Sequence, residues 1–199
     1  MNLDYSRIKA VVFDLDNTLV SSNLNFTSIR DAIGCPHEDD LLDYADNLEC
    51  EQQKNSVHQT IISHELLDAQ SAQIMQGSYE FLEHLKRSNL YTGIVTRNCL
   101  EAATIKLNRL DLEVNELVCR EHFPPKPAPD SLLALADRWS LEPHHILYVG
   151  DYLYDIQAAN NANMPSCLLT HYNQPEYQHL ATICVPHLTD LHRLFASLE

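Results

Sequence analysis

Two aspartates, Asp14 and Asp16, stand two residues apart directly after the short apolar run at residues 10–13. Such a run predicts a buried strand of a parallel sheet, and these sheets present ligands beyond the carboxyl ends of their strands. Two carboxylates this close repel each other unless a cation lies between them, and magnesium is the usual ion where phosphate is the other ligand. One carboxylate can then attack phosphorus while the other transfers protons. Taken alone, Asp-x-Asp fits equally well two aspartates that cap a turn.

Thr96 and Lys126 could hold the phosphate. Thr96 follows a second apolar run, and a hydroxyl followed by the amides of a helix start forms a phosphate site, unless Thr96 is only the N-cap of that helix. Lys126 lies within Pro124-Pro125-Lys126-Pro127, where the prolines restrict the backbone and so fix the direction of the lysine. A lysine held in this way suits neutralisation of the charge on a phosphate and on a nucleophile.

A second pair of acids follows the apolar residues 146–149 and Gly150. Asp151 comes directly after the glycine, and Asp155 lies four residues later, near the first turn of a predicted helix. One of the two could be an ordinary N-cap. Together with the other three motifs, however, they favour a shared site.

In this order, the motifs closely resemble those of the haloacid-dehalogenase-like superfamily. They are Asp14-x-Asp16-x-Thr18, Thr96, Lys126 and Gly150-Asp151-x-x-x-Asp155. Within the superfamily the chain looks like the phosphoglycolate-phosphatase-like branch, whose helical cap is inserted after the first motif. Asn17 stands where the family most often has glycine, a substitution that asparagine tolerates because it accepts unusual backbone angles.

The resemblance implies that Asp14 is the nucleophile and that Asp16 protonates the leaving group and then activates water. Thr96 would hydrogen-bond the phosphoryl group, and Lys126 would stabilise the charge of the nucleophile and the phosphate. The dehalogenases lack the second aspartate, so its presence here favours phosphoryl transfer. The magnesium ligands implied by the resemblance are Asp14, the main-chain carbonyl of Asp16, Asp151 and, directly or through water, Asp155.

Short apolar runs predict the strands that position these residues. Segments with helical periodicity, such as Leu100–Leu110 and Asp130–Trp139, separate the runs. This alternation predicts an α/β fold with a doubly wound, Rossmann-like parallel sheet. The predicted strands cover residues 10–13, 92–95, 146–149, 166–169 and, more weakly, 182–185.

Residues 21–76 break the alternation. They contain no convincing strand, their apolar residues recur at helical spacing, and residues 59–74 predict a further helix. We predict that 21–76 form an all-helical cap and that 1–20 and 77–199 form the catalytic core. Eight acidic residues lie between Asp31 and Glu51, and we expect them to form a solvated face.

Three further residues are predicted to bind the substrate. Arg97 and Asn98 follow Thr96, and Arg30 lies on an early helix of the predicted cap; either arginine could instead form a surface ion pair. Arg30 and Lys54 are the only lysine or arginine residues of this segment. A cap with so few bases disfavours leaving groups that carry several charges.

Composition restricts the classes of partner. Thirteen basic and 28 acidic residues leave a formal charge of −15, which opposes duplex nucleic acid or an anionic membrane as a partner. No run is apolar enough to span a bilayer, and the first residues lack the apolar stretch of a signal peptide. Six scattered cysteines predict reduced, mostly buried thiols of a cytoplasmic protein. Eleven scattered histidines predict no zinc site and exposed or cap-side positions.

We therefore expect a magnesium-dependent phosphatase that hydrolyses a small phosphomonoester, phosphoglycolate-like or a sugar phosphate, through an aspartyl-phosphate on Asp14. A phosphomutase that returns the phosphoryl group to a sugar would use the same core. A binding or regulatory protein that has kept the fold is the alternative from another class. Such proteins usually lose a catalytic acid, whereas every expected acid is present here.

Overall fold

The computed structural model describes residues 3–197 and contains a six-stranded sheet in the order β3-β2-β1-β4-β5-β6. All neighbouring strands are parallel. The chain adds strands outward from β1 on one side and from β4 on the other, so the topological switch point lies between β1 and β4. The predicted doubly wound α/β fold is confirmed. The strands are β1 (Ala10–Phe13), β2 (Tyr91–Val95), β3 (Glu116–Val118), β4 (Ile146–Gly150), β5 (Ser166–Leu169) and β6 (Ile183–Val185).

Eight α-helices accompany the sheet within residues 3–197. They are α1 (Phe26–Ile33), α2 (Leu41–Asp46), α3 (Glu51–Ser71), α4 (Ser78–Arg87), α5 (Leu100–Leu110), α6 (Asp130–Trp139), α7 (Leu153–Asn161) and α8 (Leu188–Ala196). The helices predicted at α5 and α6 have these bounds. The helix predicted at 59–74 begins earlier, because its polar first turns carry no apolar periodicity although they continue the helix. It also ends earlier, at Ser71, and Ile74 pairs with Val20 instead.

Helices cover both faces of the sheet, which is why its central strands are apolar throughout. Val11 and Phe13 pack in one apolar layer with residues of α4 and α8. Ala10 and Val12 pack in the other layer with residues of α6 and α7. Successive strand residues point to opposite faces, so a strand buried on both sides needs no polar alternation.

Helices α1 to α3 lie between β1 and α4 in the sequence and share a separate apolar cluster that includes Ile29, Leu41 and Ile61. The chain enters and leaves this helical segment side by side, because Val20 forms an isolated antiparallel bridge with Ile74. Both features suit an inserted cap. The division into a cap at 21–76 and a core at 1–20 and 77–199 stays a prediction.

The cysteines and histidines agree with expectation in part. All six cysteines are free, and four of them are buried. His84, however, is buried in α4, which corrects the prediction that the histidines are exposed or cap-side. Its ring contacts that of His192 at a centroid distance of 4.9 Å, so the two imidazoles pack as aromatic groups. Within residues 3–197, no helix has both the length and the apolar character to cross a membrane.

Candidate active site

The predicted site residues meet at the carboxyl edge of the sheet. Asp14 follows β1 and Asp151 follows β4, the two strands at the switch point. The strands are in register up to Phe13 and Val149, and the Asp14 amide donates to the Val149 carbonyl at 2.8 Å. This pairing fixes the two acids side by side.

The turn after Asp14 is built by Asn17. Its φ of 56° lies in the left-handed region, which asparagine tolerates better than most residues. The Asn17 amide donates to the Val20 carbonyl at 2.6 Å, and the Val20 amide donates to the Leu15 carbonyl at 3.0 Å. This tight turn holds Asp16 above the strand end.

Lys126 is the centre of the buried polar cluster, with a relative exposure of 4%. Its Nζ lies 2.5 Å from Asp14 Oδ1, 2.6 Å from Asp155 Oδ1 and 2.9 Å from the hydroxyl of Tyr148. Burial lowers the pKa of Lys126, but the two carboxylates raise it by more, so the lysine remains protonated. Tyr148, which the sequence analysis did not single out, lies on β4 directly beneath this cluster.

Asp14, Asp151 and Asp155 each offer a carboxylate oxygen, and these oxygens lie within 4.8 Å of one another. Burial is the largest of the effects that raise the pKa of Asp14 and Asp151. Neighbouring carboxylates raise the pKa of both acids further, whereas Lys126 lowers it. The cluster therefore has more negative charge than one lysine compensates. Three hard oxygen donors in such surroundings fit a divalent cation of the magnesium type.

Asp155 has two roles in the structure. Its Oδ2 accepts a hydrogen bond from the Tyr152 amide at 2.9 Å, which caps α7, while its Oδ1 faces Lys126. Asp155 is therefore not the N-cap of α7, which is Tyr152, but the third helical residue whose carboxylate accepts the N-cap amide; its place in a shared site stays a prediction. A Cβ at Gly150 would lie 2.3 Å from the carboxyl carbon of Asp155, so only glycine leaves room for this carboxylate.

Thr96 directly follows β2 and is almost fully buried, but it does not open a helix. Helix α5 begins at Leu100 with Cys99 as its N-cap, so both the N-cap interpretation of Thr96 and the expected helix start are wrong. The reason is that the Thr96 amide donates to the Val118 carbonyl of β3 at 3.0 Å, which continues the pairing of β2 with β3 by one residue. Its hydroxyl accepts hydrogen bonds from the amide and the side chain of Asn98, each at 3.1 Å.

Asp16 is held through both carboxylate oxygens. Asn98 Nδ2 donates to Asp16 Oδ2 at 2.6 Å, and Lys106 Nζ forms a short contact with Oδ1. Lys106 is fully buried and also lies 2.7 Å from Asp68 Oδ2 on α3. Asp68 in turn accepts the Asn23 amide at 2.6 Å. Lys106 thus links Asp16 to the helical segment.

Sequence reasoning missed Lys106 because a lysine in the middle of a helix normally points to solvent. The available signal was its spacing: Lys106 lies four residues after Ala102, which is buried on the inward face of α5. It missed a second buried ion pair as well. Arg120 Nη1 contacts Glu65 Oε1, and Glu65 Oε2 accepts the Cys99 amide at 3.1 Å.

We expect Lys106→Met to lower the free energy of unfolding by about 3 to 5 kcal/mol, because it leaves the buried Asp68 and the partly buried Asp16 without their common counter-charge. Urea unfolding of both proteins measures this loss. Lys9→Met removes an exposed lysine and should leave the unfolding midpoint nearly unchanged. Equal midpoints for all three proteins would contradict the buried ion pair.

Arg97 lies at the boundary between the sheet and the helical segment. Its Nη1 donates to the Lys126 carbonyl at 2.9 Å, and its Nη2 donates to Asp40 Oδ1 at 2.6 Å. The guanidinium also lies over the ring of Tyr154, 4.8 Å from its centroid. Asp40 is therefore half-buried and paired, which corrects the expectation that the acidic stretch is only a solvated face. Arg30 donates instead to the Asp39 carbonyl at 2.7 Å.

A cavity of about 510 Å³ connects these groups. Its floor contains all the core residues predicted from the motifs, and its walls come largely from α1, α2 and α3. The predicted substrate residues Arg30, Arg97 and Asn98 all line it. The cavity therefore brings together every site residue predicted from the sequence.

Comparison with known proteins agrees with this geometry. The family model for haloacid dehalogenase-like hydrolases matches residues 21–169. An uncharacterised hydrolase of Saccharomyces cerevisiae is 30% identical over 205 residues, covering 96% of this chain and 93% of the relative. An N-acetylmuramic acid 6-phosphate phosphatase of Pseudomonas putida is 26% identical, covering 85% of this chain and 86% of the relative. The crystal structure of a hydrolase from Pseudomonas syringae has a TM-score of 0.80 and 25% identity, covering 96% of this chain and 99% of that chain.

The resemblance stated from the motifs is thereby confirmed. The family match covers well over half of the chain, and the yeast relative aligns with nearly all of it. The chain belongs to the haloacid dehalogenase-like hydrolase family, within which it is a phosphatase.

Proposed function

We propose that this protein is a magnesium-dependent phosphatase that hydrolyses a small phosphomonoester through an aspartyl-phosphate on Asp14. The observation that carries the proposal is the buried contact between Lys126 and Asp14, 2.5 Å long, beside Asp151 and Asp155. Phosphoryl transfer depends mainly on positioning and charge neutralisation. A carboxylate nucleophile, a fixed lysine and a cluster of hard oxygen donors supply both.

The metal would be held by the carboxylates of Asp14, Asp151 and Asp155 and by the main-chain carbonyl of Asp16. Bound there, magnesium neutralises charge on the phosphoryl oxygens. The buried carboxylates support this assignment, because burial and mutual repulsion raise the pKa of Asp14 and Asp151. Asp155 accepts two hydrogen bonds at Oδ1 and one at Oδ2, so we propose that it reaches the ion through the remaining lone pair of Oδ2, directly or through water.

In the first step, a carboxylate oxygen of Asp14 forms a bond to phosphorus and the bond from phosphorus to the ester oxygen breaks. Asp16 gives its proton to the departing oxygen, which leaves as an alcohol. In the second step, water bonds to phosphorus as Asp16 accepts its proton, and the bond to Asp14 breaks to release phosphate. Thr96 and Lys126 hold the phosphoryl oxygens, while Asn98 and Lys106 orient Asp16.

The leaving group is a small molecule, phosphoglycolate-like or a sugar. The cavity beyond the carboxylates supports this size class, and the similarity to a phosphatase named for N-acetylmuramic acid 6-phosphate supports the reaction class. We propose Arg30, Arg97 and Asn98 as its binding residues. The acidic charge argues against nucleic acid or an anionic membrane as a partner, and the six free thiols support a cytoplasmic location.

The proposal is tested by incubating the purified protein with magnesium and a panel of phosphomonoesters. Release of inorganic phosphate from at least one of them is the expected result. Conversion of a sugar phosphate into its isomer would identify a phosphomutase instead. Release from none of the panel would contradict catalysis and favour a binding or regulatory protein.

Asp16→Asn should lower kcat for an alkyl phosphate by about 10²- to 10⁴-fold, the usual contribution of general acid–base catalysis. Asparagine keeps the shape and the contact with Lys106 but cannot transfer the proton. An aryl phosphate with a good leaving group needs no acid in the first step, so it should still phosphorylate Asp14 slowly. Wild-type rates on alkyl phosphates would exclude Asp16 as the acid and base.

A further inference from the structure

The charges around the cavity restrict the leaving group further. Within residues 3–197, the lysine and arginine side chains that line the cavity are Arg30, Arg97 and Lys126. Lys126 faces Asp14 and Asp155, so it serves the phosphoryl group. A carboxylate on the leaving group would have to be met by one of the two arginines or by His37, which also lines the cavity and is followed by the acidic residues 38–40.

Arg97 is already neutralised by the protein. Its Nη2 lies 2.6 Å from Asp40 Oδ1, both side chains are largely shielded from water, and its Nη1 is held by the Lys126 carbonyl. Burial raises the pKa of Asp40, but the charge and hydrogen bond of Arg97, together with two main-chain amides of α2, lower it by more, so Asp40 is ionised. A second anion beside Arg97 would therefore also lie beside a carboxylate.

The surrounding segment adds negative charge. Residues 21–76 contain ten acidic residues and only Arg30 and Lys54 as bases, a formal charge of −8. Arg30 donates to the Asp39 carbonyl, which belongs to the acidic run 38–40. A field of one sign over a cleft repels ligands of the same sign. An anionic leaving group is therefore disfavoured in the part of the cavity that α1, α2 and α3 line.

Much of the remaining lining is apolar or aromatic, and the polar residues Thr27 and His37 lie among it. Leu41 and Ile61 line the cavity, together with the rings of Phe26 and Tyr152, which are 57% and 55% exposed. Such surfaces gain free energy by covering the apolar face of a ligand. They offer contact area to a leaving group and no counter-charge.

We propose that the natural substrate is the monophosphate of an uncharged alcohol with an apolar face, and that Asp40 sets this selectivity by neutralising Arg97. This inference rests on the proposed phosphatase function. Among the possible phosphomonoesters, it excludes carboxylated esters such as phosphoglycolate as the natural substrate. Asp40 is a specificity-determining residue, since it changes what Arg97 presents to the leaving group.

Asp40 can be tested by a conservative change because it has a second role. Its Oδ1 also accepts the Leu42 amide at 3.0 Å and so caps α2. Asparagine is an equally good N-cap, so Asp40→Asn removes the charge and keeps the helix start. Asp39→Asn is the matched control, because it removes the same charge from the exposed neighbouring side chain, while Asp39 contacts Arg30 only through its main-chain carbonyl.

The experiment compares 2-phosphoglycolate with 2-hydroxyethyl phosphate, which differ only in a carboxylate against a hydroxymethyl group. We expect wild type to have the higher kcat/KM for the uncharged ester. Asp40→Asn should shift the ratio toward the carboxylated ester by about ten- to a hundredfold, the size of one charge-assisted contact. Adding Arg97→Gln to Asp40→Asn should remove the shift, and Asp39→Asn should not produce it.

Where turnover of either ester is slow, kcat/KM is replaced by the inhibition constants of the two esters, measured against hydrolysis of an aryl phosphate.

Two results would overturn the inference: a wild-type preference for 2-phosphoglycolate, or equal shifts in Asp40→Asn and Asp39→Asn. Both leave the phosphatase function intact. Failure to hydrolyse any ester, including the activated aryl phosphate, would instead contradict the proposed function itself.

Discussion

Asp14→Asn should abolish turnover, with kcat/KM falling by at least about 10⁴-fold, because an amide cannot form the covalent bond to phosphorus. No phosphate should become attached to the variant. The fold should tolerate the change, since asparagine has nearly the same shape and Lys126 keeps its contact with Asp155. Burial raises the pKa of Asp14, which means that the ionised carboxylate destabilises the folded state. Replacing it with an amide should therefore not lower the free energy of unfolding.

Steady-state kinetics with an aryl phosphate and thermal unfolding check this prediction together. Asp4→Asn is the control, since Asp4 is exposed and its side chain accepts hydrogen bonds from the amide and the hydroxyl of Ser6. It should retain both activity and melting temperature. Wild-type turnover by folded Asp14→Asn would refute the assignment of the nucleophile.

Removal of divalent cations should have an effect of comparable size. Exhaustive chelation should reduce phosphate release to background, and magnesium at about millimolar concentration should restore it, because such sites hold the ion through few carboxylates and several waters. The carboxylates of Asp14, Asp151 and Asp155 would otherwise repel one another. Manganese or cobalt should substitute, whereas zinc should not, since no histidine or cysteine belongs to the acidic cluster found within residues 3–197.

A second readout separates metal binding from catalysis. Magnesium should raise the melting temperature of the wild-type protein, because a ligand that binds only the folded state stabilises it. Asp151→Asn should weaken this rise. Full activity after chelation, or an identical rise in Asp151→Asn, would show that these carboxylates do not hold the ion.

The sheet and the carboxyl edge that carries the candidate site could be predicted, because the sequence patterns that indicate them lie within a few consecutive residues. A fully buried parallel strand requires an apolar run, and the acids that follow β1 and β4 stand next to such runs in the sequence. Strand β3 was not predicted, because it has only three residues, lies at the edge of the sheet and includes the half-buried Glu116. Its pairing with β2 stabilises it, and no local pattern encodes that pairing.

The contacts that join the helical segment to the sheet could not be predicted. Lys106 with Asp68, Arg120 with Glu65 and Arg97 with Asp40 each join residues more than thirty positions apart in sequence. A charged side chain normally points to solvent, and it is buried only where a tertiary partner of opposite charge offsets the free energy of desolvation. The acidic stretch was expected to be solvated for the same reason, although Asp40 turns inward to meet Arg97.

In the proposed reaction a phosphoryl group passes through Asp14, and trapping the aspartyl-phosphate tests this step most directly. Borohydride reduces an aspartyl-phosphate to homoserine, which peptide mass spectrometry locates in the sequence. We expect homoserine at position 14 when wild-type protein turns over an aryl phosphate with magnesium, and none without substrate or in Asp14→Asn. Steady turnover with homoserine at a different position, or with no reduced residue at all, would contradict the account.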